Sequence, residues 1–154
     1  MPHLYEKFIL EYYKKEHKQV KAEASYISWQ LDDENDLLLP TMKSDITLSD
    51  EKNVLIIDAK YYKKTLQEHY SNKSIHSNNL YQIFTYVKNR DVELKEKNMK
   101  VSGMLLNAKT DEKQCPDNTY NMSGNNISVK TLDLNQDFDG IKEQLDSILY
   151  EYFN

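Results

Sequence analysis

Apolar residues recur at helical spacing at the start of the chain, where Leu4, Phe8, Ile9 and Tyr12 are interleaved with Glu6, Lys7, Lys14 and Lys15. The spacing predicts an amphipathic helix over residues 3–17. Residues 25–31 are rich in aromatic and β-branched side chains and read as a strand, followed by the acidic, turn-forming run Asp32-Asp33-Glu34-Asn35-Asp36. Two further apolar runs, one over residues 44–48 and one over residues 54–62, flank Ser49-Asp50-Glu51-Lys52-Asn53 and predict a hairpin. Residues 63–77, with His69, Tyr70 and His76, are polar and irregular and read as a connecting loop. Leu80, Ile83, Phe84 and Val87 then mark a second amphipathic helix over residues 78–97. A buried strand is predicted over residues 101–106, around Gly103. Residues 109–126, with Pro116, Gly124 and many Asn and Asp, read as a long surface loop. Alternation over residues 127–134 predicts a last strand, and Ile141, Leu145, Ile148, Leu149 and Tyr152 a closing helix.

The predicted order is α-β-β-β-α-β-α, or α-β-β-β-α-β-β-α when both late strands are counted. An α/β fold with a central mixed sheet flanked by helices buries all of these apolar stripes in one layered domain over residues 1–154. Composition agrees: 39% of the 154 residues are hydrophobic and 29% charged, which fits a globular chain rather than a disordered one. No apolar run approaches the roughly 20 residues that span a bilayer, and no secretory signal opens the chain. A single cysteine, Cys115, excludes an internal disulfide and a Cys-rich zinc site, so a cytoplasmic setting is the expectation. The start inside a helical pattern suggests a fragment of a longer subunit. The net charge of −5 argues against holding nucleic acid by bulk electrostatics alone, yet lysines cluster as Lys14, Lys15, Lys18 and Lys21, and as Lys60, Lys63 and Lys64. The simpler reading of such clusters is an ordinary solvated face.

Candidate chemistry concentrates on the hairpin. Asp58 and Lys60 are two residues apart on a strand, so they share a face, and Asp45 comes from the neighbouring strand. Magnesium takes oxygen ligands and keeps several waters, so two carboxylates, the backbone carbonyl of Ala59 and a substrate phosphate make a plausible shell. Lys60 would orient the attacking water or stabilise charge on a phosphorane-like transition state. The competing reading is a same-face ion pair worth less than about 1 kcal/mol. The near-continuous apolar run Val54-Leu55-Ile56-Ile57 favours chemistry, because it makes the strand central, where an acid and a lysine are costly. Glu6 on the first helix could reach the metal over the sheet, or be an exposed helix glutamate. Gln82 and Tyr86 lie four apart on one helix face, placed to contact a base, a phosphate or simply the helix rim.

These residues resemble the PD-(D/E)xK nuclease superfamily, whose core is α-β-β-β-α-β with metal acids on a central hairpin. Asp45 matches the first motif acid, with Ser44 where the name-giving pattern has proline. Asp58-Ala59-Lys60 matches the Asp-x-Lys motif, Gln82-Ile83-Phe84-Thr85-Tyr86 the Gln-x-x-x-Tyr helix motif of the RecB-like branch, and Glu6 the first-helix acid. More narrowly, Leu4-Tyr5-Glu6-Lys7-Phe8, the run over residues 55–62 and Asn79-Leu80-Tyr81-Gln82-Ile83-Phe84-Thr85-Tyr86 look like the C-terminal nuclease domain of McrC-type subunits of McrBC modification-dependent restriction systems. The resemblance covers roughly residues 4–106. It implies an endonuclease acting on DNA with Mg2+, replaceable by Mn2+, and a GTP-hydrolysing McrB-like motor as partner; pairing of two copies to cut both strands stays open. In that picture Asp45, Asp58 and the Ala59 carbonyl hold the metal, Lys60 assists the attacking water, Glu6 supports the metal, and Gln82 and Tyr86 position the strand. Family members carry a further N-terminal region that this chain does not show. A stand-alone RecB-like repair or recombination nuclease and a catalytically inert DNA- or motor-binding adaptor are the alternatives.

Overall fold

The computed structural model describes residues 2–62, 66–69, 72–111 and 115–153. Its centre is strand β5 (Asn53–Lys60), flanked antiparallel by β4 (Ile46–Ser49) and parallel by β8 (Lys100–Ala108). The sheet extends through β1 (Lys21–Glu23), which is antiparallel to β4. On the other side it extends through β10 (Asn125–Leu132), parallel to β8, and β9 (Asn118–Met122), antiparallel to β10. The order β1-β4-β5-β8-β10-β9 is therefore a mixed six-stranded sheet. Helices α1 (Pro2–Glu16) and α3 (Phe138–Tyr152) cover one face and α2 (Ser77–Glu93) the other.

Alternation along β5 explains the three layers. Leu55, Ile57 and Ala59 join Ile9 and Tyr13 of α1 and Leu145 and Leu149 of α3 in one core, while Val54 and Ile56 join Ile83 and Val87 of α2 in the other. Both faces are covered, which is why the strand reads as an unbroken apolar run. Asp58 and Lys60 continue the α2-facing set. Gly103 on β8 sets how closely α2 approaches: a Cβ there would fall 2.5 Å from Val87 Cγ2 and 2.9 Å from Ile83 Cγ1. The Asp137 carboxylate caps α3 by accepting from the Gly140 N–H at 2.9 Å.

Several expectations are corrected. The strand predicted over 25–31 shrinks to β2 (Tyr26–Ile27), paired with β3 (Met42–Lys43) in a separate two-stranded arm. Arg90 Nη2 donates to the Tyr26 carbonyl at 2.8 Å and Asn89 Oδ1 accepts from the Gln30 N–H at 2.9 Å, so the arm rests on α2 and not in the sheet. Edge strand β1 was not predicted; its three residues are too short to show a period. Within the segment read as a connecting loop, β6 (Leu66–His69) and β7 (Asn72–Ile75) form a hairpin. The segment read as a long loop contains β9, whose Tyr120 and Met122 pack against the α2-side core while Thr119 and Asn121 are exposed. The second helix ends at Glu93, followed by a short 3-10 turn (Lys95–Lys97) closed by Asn98 in the left-handed region at φ 56°. Lys63, Lys64 and Tyr70 lie outside the described residues. Lys14, Lys15, Lys18 and Lys21 are exposed, and Lys14 and Lys21 pair loosely with Glu11 and Glu23 at 3.9 and 3.5 Å.

Candidate active site

The end of β5 brings the hairpin residues together. Ile46 pairs with Ile57, so Asp45, immediately before β4, falls opposite Asp58. The ladder between the two strands stops there. In its place the Asp45 carboxylate reaches across, its Oδ2 accepting from the Ala59 N–H at 2.9 Å. A strand residue directs its N–H and C=O to the same edge, so the Ala59 carbonyl also faces the side on which Asp45 stands.

Ser44 fixes this turn. It is buried, its N–H donates to the Ser25 carbonyl at 2.8 Å, and its hydroxyl bonds Thr47 Oγ1 at 2.7 Å and accepts from the Ser25 N–H at 3.1 Å. Proline at this position could supply neither the N–H nor the hydroxyl. The departure from the superfamily pattern is thus built into the local hydrogen bonding.

Asp58 is 4% exposed. Its Oδ2 lies 3.2 Å from Lys60 Nζ as an ion pair, but no aligned donor satisfies that oxygen. Burial, reinforced by the adjacent Asp45 carboxyl, pushes the Asp58 pKa up to about 8 against the pull of Lys60. Burial opposes the charge on Lys60, but the Asp58 carboxylate outweighs it and raises the ammonium above its ordinary value. Lys60 Nζ also donates to Gln82 Oε1 at 3.3 Å, and Gln82 Nε2 donates to the Tyr86 hydroxyl at 2.9 Å. Tyr86 is buried, so it orients Gln82 and is not available for stacking.

Glu6 lies on the other side of Asp45. Burial and the Asp45 charge raise its carboxyl above the usual carboxylate range, and His3 Nδ1, 3.2 Å from Glu6 Oε1, works in the opposite direction. Asp45 therefore links two carboxyl pairs, one with Asp58 and one with Glu6. Among the described residues no three His, Cys, Asp or Glu side chains converge on one point. A cleft of about 360 Å³ opens beside Asp45 and Glu6, and Lys7 and Lys43 contribute to its walls. Neither lysine stood out in the sequence: nothing in the spacing ties Lys7 to the hairpin, whereas Lys43 precedes Asp45 by two and could have been found on that ground.

Sequence reasoning also left Tyr61 and Tyr62 without a place in the site. Tyr61 packs on Tyr5 of α1, ring centroids 5.6 Å apart, while Tyr62 turns towards α2, its ring 5.5 Å from His76. The two rings flank the strand end that carries Asp58 and Lys60.

Comparison with known proteins agrees with the family resemblance. Residues 1–100 match the family model described as McrBC 5-methylcytosine restriction system component. The chain is 32% identical over 152 residues, 97% of its length, to a protein of Escherichia coli (strain K12) named type IV methyl-directed restriction enzyme EcoKMcrBC. It spans 42% of that relative. By this match the chain belongs to the McrBC restriction-system component family, in line with its resemblance to McrC-type subunits.

Proposed function

We propose that the chain is the PD-(D/E)xK nuclease domain of a McrBC-type restriction system, hydrolysing phosphodiester bonds of modified DNA together with a GTP-driven motor subunit. The observation that carries this reading is the pairing of Asp45 with a buried Asp58 whose Oδ2 lacks a hydrogen-bond donor. A buried acid left in that state is costly unless a cation completes it. Magnesium is commonly held by one or two carboxylates plus substrate phosphates, so two aspartates and the Ala59 carbonyl suit it without a third acid. When bound, a divalent cation neutralises charge on the scissile phosphate and makes a nucleophile accessible at neutral pH.

The chain's own groups do the rest. Asp45 and Asp58 would hold the cation, and the Ala59 N–H fixes Asp45. Lys60, anchored on Gln82, keeps its positive charge beside Asp58, where it orients the attacking water and stabilises developing negative charge. Glu6 acts through Asp45, biasing its orientation from the α1 side. Lys7 and Lys43, on the wall of the adjoining cleft beside Glu6 and Asp45, are the cations placed to meet a DNA backbone phosphate. The name of the E. coli relative, a methyl-directed restriction enzyme, supports modified DNA as substrate.

The test is cleavage of modified and unmodified DNA by the complete subunit with its motor partner, GTP and Mg2+ or Mn2+. Asp58→Ala and Lys60→Ala each lower the rate by roughly 10³-fold while circular dichroism stays native. Unchanged cleavage by both variants overturns the reading. Cutting of unmodified or branched DNA without GTP points to a stand-alone nuclease, and absence of Asp45- and Asp58-dependent Mn2+ heat in calorimetry to an inert adaptor.

A further inference from the structure

A second cavity, of about 200 Å³, adjoins the strand end on its α2 side, lined by Tyr62, Gln67, His76, Ser77, Asn78 and Asn79. We propose that it is a nucleobase pocket, which takes up a base unstacked from the DNA strand next to the scissile phosphate. The proposal rests on the nuclease reading of Asp58 and Lys60.

Position is the first argument. Tyr62 follows Lys60 by two residues, and Asn79 precedes Gln82, the partner of Lys60, by three, so Asn79 and Gln82 share one face of α2 about 4.5 Å apart along its axis. That step is comparable to the rise between neighbouring nucleotides. A phosphate beside Lys60 therefore places an adjoining base within reach of the cavity.

Chemistry is the second argument. Among the described residues, none of the six lining side chains is an acid, a lysine or an arginine, a lining that suits an uncharged polar group. Two aromatic rings, Tyr62 and His76, stand tilted at 60° to each other, and Tyr62 is 43% exposed, leaving ring surface for stacking. Three amides and a hydroxyl complete the wall. Aromatic faces combined with amide edges are what unpaired bases are read by.

The wall is also assembled in advance. Gln67 Nε2 donates to Ser77 Oγ at 3.2 Å while Ser77 N–H donates to Gln67 Oε1 at 3.3 Å, tying β6 to the first turn of α2. The Tyr62 hydroxyl donates to Oδ1 of the buried Asn79 at 3.4 Å. Neither Tyr62 nor Asn79 belongs to either apolar cluster.

The experiment scans a short duplex, cut at one defined phosphodiester by the complete complex with Mn2+, for the effect of a single abasic nucleotide. One position next to the cut raises KM about tenfold with little change in kcat, as loss of one base–aromatic stack predicts. Tyr62→Ala shows that higher KM on intact DNA and no longer distinguishes the abasic substrate, and Tyr62→Phe recovers most of the discrimination. In Ca2+, 2-aminopurine at the sensitive position changes its emission on binding to the wild-type complex and not to Tyr62→Ala. If active wild-type complex tolerates an abasic nucleotide at every position, or if Tyr62→Ala discriminates as wild type does, the pocket reading falls and the nuclease reading stands. If wild-type complex fails to cut intact DNA, both fall. The abasic scan on wild type does not depend on any variant folding.

Discussion

Two aspartates in this molecule each meet a basic side chain, and their remaining partners differ. Asp146 on α3 accepts from the Tyr12 hydroxyl at 2.6 Å and from His17 Nε2 at 2.5 Å, and Gln19 Nε2 in turn donates to His17 Nδ1 at 3.2 Å. Burial opposes its charge, but these donors hold Asp146 below the usual carboxylate range. Asp58 has an ion pair and an acidic neighbour where Asp146 has donors, and its pKa moves the other way, to about 8. A carboxylate whose partners are all protein groups belongs to the architecture, here tying α1 to α3. One left short of donors at the end of a central strand is poised for something that arrives from outside.

The contrast can be broken in three ways. Asp146→Ala strips Tyr12 and His17 of their shared acceptor and is expected to cost about 2–4 kcal/mol in chemical denaturation, charged hydrogen bonds being the stronger kind. Cleavage below the melting temperature is retained within a fewfold; a loss comparable to that of Asp58→Ala would mean the two aspartates are not different in kind. Asp58→Asn, measured at pH 8 in chelator, is expected to change stability by less than about 1 kcal/mol, since relief of the incompletely satisfied Asp58 is offset by the Lys60 ammonium that loses its partner. Excess Mg2+ should then stabilise wild type and leave the variant unaffected, which thermal melts will show.

The smallest effect is in pH dependence, and the two residues carry opposite signs. The Asp58 pKa is raised from 3.8 to about 8 on folding, so its contribution is full below pH 4 and is lost as pH rises through 8. For Asp146, whose pKa is lowered, the contribution is present above pH 4 and is lost as pH falls through the depressed value. Melting in chelator should therefore show Asp58→Asn flattening the decline between about pH 5 and 8, and Asp146→Asn flattening the decline on the acid side. Matching slopes for both variants would remove the distinction.

How much of this was legible in the sequence follows from periodicity. Asp58 and Lys60 could be placed on one face because a strand repeats every two residues, and Gln82 and Tyr86 because a helix brings i and i+4 together. The apolar run from Val54 to Ile57 announced a central strand, and the sheet confirms it. The hairpin of β6 and β7 was not legible, because Gln67, Glu68, Lys73 and Ser74 carry no alternation and the pair stands apart from the main sheet. Edge strand β9 was hidden differently: its apolar positions, Tyr120 and Met122, sit among Asn, Asp, Pro and Gly residues that read as a loop. Tyr62 and Asn79 had weak signals only: an aromatic just past the lysine, and an amide one turn before Gln82. Long-range pairing such as Tyr12 with Asp146, separated by 134 positions, leaves no local trace at all.

The last rung between β4 and β5 is made by a side chain, the Asp45 carboxylate on the Ala59 N–H. Fold and chemistry therefore share one residue but not the other. On the nuclease reading, a lineage released from selection for cutting can exchange Asp58 at little cost in stability, whereas loss of Asp45 would unzip the end of the central strand. Silent descendants of this domain should accordingly keep the first acid and shed the second, and a survey of relatives that retain Asp45 without Asp58 would separate retired nucleases from working ones.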